Sequence, residues 1–416
     1  MLKLAFGIIS GAVILIPLST TSAHAADWPG LPPSEQAADA LSKQPRVLEA
    51  QAMLDAARSK AASLNAGSYE WTARAGLQNR SVKNGSDSRE WETALERAIR
   101  LPGKARLDGS LGQSLVQQSE FAVGDAMHES GKELLKNWLD YARARENARV
   151  WEAQTELLST QLTIVEKRIR AGDAPKLERE AARAALSQSQ SQIARALMQR
   201  ESALSLLKSR YPQLALLEAD MPEPTRLDGT LESWRSAMLE DNHELAYQQA
   251  AAQSAKLNAE RQSANRKPDP AVGVRYSSEQ GGNEQVLGAY VSIALPGAAR
   301  RHDGDVARAE SQAAVVRANA VKARLSQEAE ALYLGALHSH EAWLNAKESL
   351  LSFQKQAEGA VRAYQLGEGN LSESLNARRL ALEARLNEIA ARADALESYY
   401  RLKLDAHQLW SFHQAE

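Results

Sequence analysis

The 416-residue sequence predicts a mainly α-helical chain with a small membrane β-barrel portion, built as two tandem structural repeats of long coiled-coil helices and paired strands. Three observations predict it. Leu101-Pro102-Gly103 matches Leu295-Pro296-Gly297 at an offset of 194, and Asp108-Gly109 matches Asp303-Gly304 at 195, a register that chance rarely keeps. Apolar residues step by 3 and 4 over long segments, the period of a coiled-coil seam. Ahead of each Leu-Pro-Gly motif the period drops to 2, that of a strand with one apolar face.

The first element is an export signal over residues 1–25. Its one charge is Lys3, followed by an apolar run from Leu4 to Leu18 and the small-residue cleavage site Ala23-His24-Ala25. Ser10 and Pro17 interrupt the run, which falls short of the roughly 20 residues a spanning helix needs. The mature chain is expected to begin at Ala26, with a first repeat over 26–225 and a second over 226–416.

In the first repeat, Tyr69, Trp71, Ala73, Ala75 and Leu77 alternate with polar residues, and Trp91, Leu95, Ile99 and Leu101 continue the alternation after the turn signal Asn84-Gly85. A strand pair is therefore expected at about 69–101. Proline is absent from Gly103 to Ala174, and Ala, Leu, Glu, Gln and Arg dominate, so one helix is expected from about 105 to 170. At 1.5 Å per residue it would be on the order of 100 Å long. Leu158, Leu162, Val165 and Ile169 supply its seam, and Ala181, Ala184, Ala185 and Ala194 are expected to keep the next helix close. Gly172 and Pro175 break the run into a helical hairpin.

The second repeat follows the same order. Strands are expected at about 271–295 around Gly281-Gly282, with Leu287, Ala289, Val291, Ile293 and Leu295 on one face, so that each Leu-Pro-Gly marks a strand end and a helix start. The second hairpin turns at Gly367 and Gly369, Gly367 lying 195 residues after Gly172, and its return helix carries Leu375, Leu382, Leu386, Ile389, Ala393, Leu396 and Tyr400 in heptad steps.

Composition narrows the function. The formal net charge of -2 implies no polyanionic partner, so nucleic acid binding is disfavoured. The absence of cysteine excludes disulfides, thiolate metal sites and a cysteine-linked lipid, and only 4 Phe argue against a thick globular core. The eight histidines are scattered, and there is no Gly-rich phosphate loop or nucleophile elbow, so no enzyme, catalytic residue, cofactor or metal site is predicted. His338 and His340 are two apart on a helix and do not share a face. Four strands of membrane-barrel length cannot close alone, and an open edge in lipid leaves backbone groups unpaired at several kcal/mol each. The chain must therefore assemble. Three copies give twelve strands, above the eight at which side chains fill the lumen.

The ordered set of these features resembles the TolC-type outer membrane factors of tripartite efflux and secretion systems. The likeness rests on "ALSKQPRVLEAQAMLDAA" (40–57), "MLEDNHELAYQQAAAQSA" (238–255), "PDPAVGVRYSS" (268–278) and the Gly-containing turns, and covers nearly all the mature chain. The resemblance implies a homotrimer in the outer membrane, with a twelve-stranded β-barrel in lipid and a trimeric α-barrel across the periplasm. It also implies a periplasmic adaptor docked at the hairpin tips and an inner-membrane pump. Arg168 and Gly172 fall at the first tip, with Arg168 in the place of the family's tip arginine, and Tyr364 and Gly367 at the second, with Tyr364 in that of its gating tyrosine. Glu178 and Glu373, each six residues after a tip glycine, fall on the acidic constriction.

The sequence departs from the pattern in having Glu for Asp there, and Gly369 where a gate-locking arginine can occur. Both carboxylates are expected either to line the lumen as rings or to pair with arginines on the outer face. The Leu-Pro-Gly-x-Ala-Arg junctions look most like the branch serving heavy-metal cation exporters of the resistance-nodulation-division type. Drug efflux and type I secretion are the alternative duties. A periplasmic adaptor is the competing architecture, with one hairpin where this chain has two.

Overall fold

The computed structural model describes residues 28–67, 69–215 and 220–410. The export signal expected at residues 1–25 lies outside them. In chain order the elements are α1 (Ser34–Ser42), α2 (Pro45–Ala66), β1 (Trp71–Arg80), β2 (Ser88–Ala98), α3 (Pro102–Ala171) and α4 (Lys176–Arg210). The second set is α5 (Leu231–Glu240), α6 (His243–Ala264), β3 (Ala271–Glu279), β4 (Glu284–Ser292), α7 (Ala299–Leu366) and α8 (Leu371–Asp405). Paired elements have 9 and 10, 22 and 22, 70 and 68, and 35 and 35 residues. The tandem repeat is thus a repeat of lengths as well as of order.

The long helices α3 and α7 form the axis of the molecule, α3 extending about 105 Å at 1.5 Å per residue. Around them the 35-residue return helices α4 and α8 fill the half near the tips, while the 22-residue α2 and α6 fill the half near the sheet. Two end-to-end joints result. Gln44 Nε2, at the start of α2, donates to the carbonyl of Arg210 at the end of α4 (3.0 Å). The ring of His243, opening α6, meets that of His407, just after α8, with centroids 5.2 Å apart. Close approach fixes the upper half: a Cβ on Gly112 of α3 would lie 3.0 Å from Ala61 Cα of α2.

The α7 seam keeps a strict heptad, with Ala329, Ala336, Trp343, Leu350, Ala357 and Tyr364 all buried. Where α3 and α8 meet, Leu134, Leu135, Trp138 and Leu139 pack with Ile389, Leu396, Tyr400 and Leu404 into the main core. Full burial of an aliphatic side chain contributes about 1.5–3 kcal/mol. A buried charged network sits at the same level: Arg392 pairs with Glu146 and Glu388, and Trp343 Nε1 donates to Glu388 Oε1 (3.0 Å). Removing one member of such a network leaves an uncompensated buried charge, at a cost of about 3–5 kcal/mol.

The alanine stripe differs from expectation. Ala182, Ser189, Ala196 and Leu207 are the buried α4 positions, whereas Ala184 and Ala194 are exposed. The reason is that α4 packs on α3 alone through most of its length and stands off from α8 across a groove of about 510 Å³ lined by Ala181, Ala184 and Ala185.

The sheet has the order β1-β2-β3-β4, antiparallel throughout, with β1 and β4 as its two open edges. Register places Leu77 opposite Trp91, Trp91 opposite Ser278, and Tyr276 opposite Leu287, so Trp71, Leu77, Trp91, Leu95, Val272, Val274, Leu287 and Val291 share one face. That face is open to the surroundings, Leu77 being 90% exposed and Leu287 79%. The opposite face is polar: Arg80 pairs with Glu90 (2.6 Å) and Arg74 with Glu96 (3.4 Å). Among the described residues no helix is long and apolar enough to cross a membrane.

One boundary departs from the expected symmetry. Pro102 occupies the first turn of α3, where its fixed φ and missing N–H suit a helix start. Pro296 lies three residues before α7, and β4 ends at Ser292, which leaves Ile293 and Leu295 in the connection rather than in the strand.

Candidate functional site at the hairpin tips

The tip glycines end their helices in the same way. Gly172 (φ 85) and Gly367 (φ 78) are left-handed, a conformation that costs a residue with a Cβ roughly 1–2 kcal/mol. Gly172 N donates to Ile169 O (3.1 Å) and Asp173 N to Arg168 O (2.8 Å). At the second tip Gly367 N donates to Tyr364 O (3.2 Å) and Glu368 N to Ala363 O (2.9 Å). Both are Schellman turns. Offset by 195, Arg168 corresponds to Ala363 and Ile169 to Tyr364, so equivalent backbone positions carry different side chains.

The return helices also start alike. Glu178 and Glu373 are each the third helical residue, where the helix dipole favours a carboxylate. Asn370 caps α8, its Oδ1 accepting from Glu373 N (2.8 Å), while Pro175 at the equivalent position of α4 offers no side-chain cap.

The structure brings three of the sequence-predicted residues together. Tyr364 packs with Val165, Ala182 and Leu371 in a small core at the tips. Its hydroxyl donates to Glu178 Oε2 (2.8 Å) across from α7 to α4. Arg168 Nη1 lies 3.7 Å from the same oxygen, and its guanidinium sits over the Tyr364 ring, 5.0 Å from the centroid. Arg168 Nη2 also donates to Asp173 O (3.1 Å), which holds the arginine against its own turn. Burial, followed by the hydrogen bond and charge of Glu178, pushes the Tyr364 hydroxyl up to about 12. It is a firm donor at any physiological pH.

Glu373 is not part of this cluster. Its side chain is exposed and has no hydrogen bond or ion pair with the described residues of its own protomer. Gly369 has no room to spare: a Cβ there would lie 3.3 Å from both Tyr364 N and Ala363 Cβ. An arginine at this position would displace the turn by a few tenths of an ångström. The two tips also expose leucines that the periodicity did not single out, Leu177 (78%) and Leu366 (62%). Leu366 directly precedes a tip glycine, and Leu177 is the second residue of the return helix. His338 is a surface residue beside Glu341, and His340 meets Trp343 edge-on (centroids 5.5 Å). Among the described residues no group of three or more His, Asp or Glu is placed to hold a metal.

No protein-family model matches the chain, and no curated protein is similar to it in sequence. Solved structures are similar in fold. CusC, known from crystal structures concerned with folding and transmembrane channel formation, has a TM-score of 0.75 at 17% identity, covering 89% of this chain and 91% of its own. The CmeC outer membrane channel of Campylobacter jejuni has 0.70 at 16%, covering 92% and 86%. The outer membrane protein VceC of Vibrio cholerae has 0.71 at 14%, covering 91% and 96%. At these identities the likeness establishes the fold along nearly the whole chain.

Proposed function

We propose that this chain, which has the TolC-type fold, is the outer membrane exit duct of a tripartite efflux system and works as a homotrimer. The observation that carries the reading is the sheet. Its apolar face is open, and its two edges, β1 and β4, are unpaired at opposite ends. In lipid each unpaired backbone group costs several kcal/mol, so β4 of one copy must pair with β1 of the next until the ring closes. Three copies give a twelve-stranded barrel around the polar face that carries Arg74, Arg80, Glu90 and Glu96. The α-helical portion then forms a second barrel across the periplasm, with the Gly172 and Gly367 turns at its far end.

The tips meet a periplasmic adaptor linked to an inner-membrane pump of the resistance-nodulation-division type. Exposed Leu177 and Leu366 supply apolar contacts beside Gly172 and Gly367. The cargo we assign is heavy-metal cations, on the resemblance of the Leu-Pro-Gly-x-Ala-Arg junctions. Under threefold symmetry Glu178 and Glu373 each recur three times, and a ring of carboxylates at a constriction favours cations.

Mass in detergent, with the detergent subtracted, should equal three mature chains, and a monodisperse monomer would end this reading. Single cysteines at Ala174 or Asn370, in a chain with none of its own, should crosslink to the adaptor in cells. Labelling of the same cysteines by an impermeant thiol reagent in intact cells would place the tips outside and refute the orientation.

A further inference from the structure

The joint between α8 and α6 gathers three of the eight histidines of the chain. His128 comes from the middle of α3, His243 is the first residue of α6, and His407 follows the end of α8. The His407 ring lies 5.2 Å from the centroid of His128 and 5.2 Å from that of His243. The packing is tight: a Cβ on Gly124 of α3 would come within 2.5 Å of His243 Nδ1. His407 is held in the left-handed region (φ 55), so the backbone turn that ends α8 is itself a strained one for this residue.

The polar accounting of the joint is incomplete in a way that depends on protons. His128 Nε2 donates to Asp405 Oδ1 (2.8 Å), since an ionised carboxylate only accepts. His128 Nδ1 and His407 Nε2 are buried with no hydrogen-bond partner. A neutral imidazole tolerates one bare nitrogen. A protonated one adds an N–H that, at both positions, finds no acceptor.

The other charges around the joint come from every element packed on it. On α3, Asp125 faces it, and Lys132 pairs with both Glu129 and Asp405. From the start of α6 and the end of α5 come Glu244 and Asp241. On α7, Arg324 pairs with Glu244 and Glu328. On α8, Arg401 pairs with Asp405 (2.9 Å). Asp405 is therefore already matched by Lys132 and Arg401 and accepts from His128 Nε2, and offers a His407 imidazolium little.

The equivalent joint of the first repeat is built without a histidine. Its matching positions are Ala323, Pro45 and Pro212, and it is closed by Gln44 on Arg210 O and by Arg46 and Arg210 on Glu133.

We propose that the His128–His243–His407 cluster makes this joint a proton-sensitive hinge, in which mild acidification releases the end of α8 from α6 and α3 while the α4–α2 joint stays closed.

Burial first, then the neighbouring His128 and His243, hold the His407 imidazole down to about 4 against the pull of Asp241 and Asp405. A histidine held below its ordinary value of about 6.5 is neutral in the closed joint and charged once the joint opens. The closed form therefore loses stability as pH falls from about 6.5 toward 4, and the loss is complete below that. Asp405 acts elsewhere: burial raises it, but the hydrogen bond from His128 and the charges of Lys132 and Arg401 bring it down to about 2. Asp125, pushed up by burial and by Glu129 and Glu244, has the opposite sign and acts in the carboxylate range.

The test is hydrogen exchange with mass spectrometry on the full-length protein in detergent between pH 7.5 and 5, corrected for intrinsic exchange rates. Protection of residues 402–410 should fall by about tenfold or more by pH 5, the effect of one proton taken up on opening. Residues 203–212 should not change. In His407→Asn, a residue that tolerates the left-handed turn, the fall should disappear. Constant protection of 402–410 in the unmodified protein, an equal fall at 203–212, or an undiminished fall in His407→Asn would each overturn the hinge. The first two comparisons need no variant.

Discussion

The two hairpin tips share a backbone and differ in charge. Each ends a long helix at a left-handed glycine with the same pair of hydrogen bonds, and each restarts with a glutamate at the third helical position. At the first tip Glu178 is held by Tyr364 and lies near Arg168; at the second, Glu373 is exposed with no side-chain partner among the described residues of its own protomer. The difference follows from two positions. Arg168 is replaced at the second tip by Ala363, and Tyr364 at the first by Ile169. Duplication kept the residues that shape the turn, where only glycine is unstrained, and let the side chains diverge. One tip became a latch between hairpins, and the other kept a free carboxylate. In the proposed threefold assembly, Glu373 is the carboxylate we propose for a cation-binding ring, while Glu178 is offset by its arginine.

The largest effect should come from breaking the latch. Tyr364→Phe leaves Glu178 half-buried with only Arg168 nearby, which costs about 1–3 kcal/mol for an unmade hydrogen bond to a charged group. Single-channel conductance in planar bilayers should rise as the tips part. Conductance equal to that of the unmodified protein would mean that the contact does not hold the tips together.

Selectivity separates the two carboxylates. Glu373→Gln should lower cation over anion permeability and weaken block by divalent cations, by about a factor of a few, while Glu178→Gln changes both less. Equal effects of the two variants would remove the distinction drawn here. Ala363→Arg sharpens it further, because it restores at the second tip the arginine that stands beside the glutamate in the first. It should reproduce the selectivity of Glu373→Gln without removing the carboxylate. If Ala363→Arg keeps full cation selectivity, Glu373 is out of its reach and the tips are not equivalent in backbone after all.

The smallest effect concerns pH. Tyr364 is raised to about 12 from an ordinary value near 10, so its contribution is fully present below pH 10 and is lost only as pH rises through about 12. Tip conductance should therefore be insensitive to pH from 7 to 10, even as the histidine joint responds on the acid side. A midpoint near 10 in tyrosine absorbance, lost in Tyr364→Phe, would show that the hydroxyl is not buried against Glu178.

Much of this architecture was legible in the residues. Heptad steps gave the long helices, alternation gave the strands and their apolar face, and glycines 195 apart gave the turns. The α4 stripe is not legible to the residue because Ala181, Ala182, Ala184 and Ala185 leave the apolar pattern degenerate: four small residues in five positions point to every side. The start of α7 is not fixed by its Leu-Pro-Gly, because a proline three residues outside a helix and one in its first turn carry the same sequence signal.

What the sequence determined by itself is the local geometry, which depends on residues three, four or seven apart. What only the tertiary structure decided is which side chains meet. Tyr364 and Glu178 are 186 residues apart, and His128 and Asp405 are 277 apart. Each pairing depends on the axial shift and rotation of one long helix against another. A heptad seam constrains these only to the nearest repeat, so many registers bury the same alanines and leucines equally well. The choice among them is made by the whole set of contacts along some 100 Å of packed helix, and with it the chemistry of the tips and of the histidine joint.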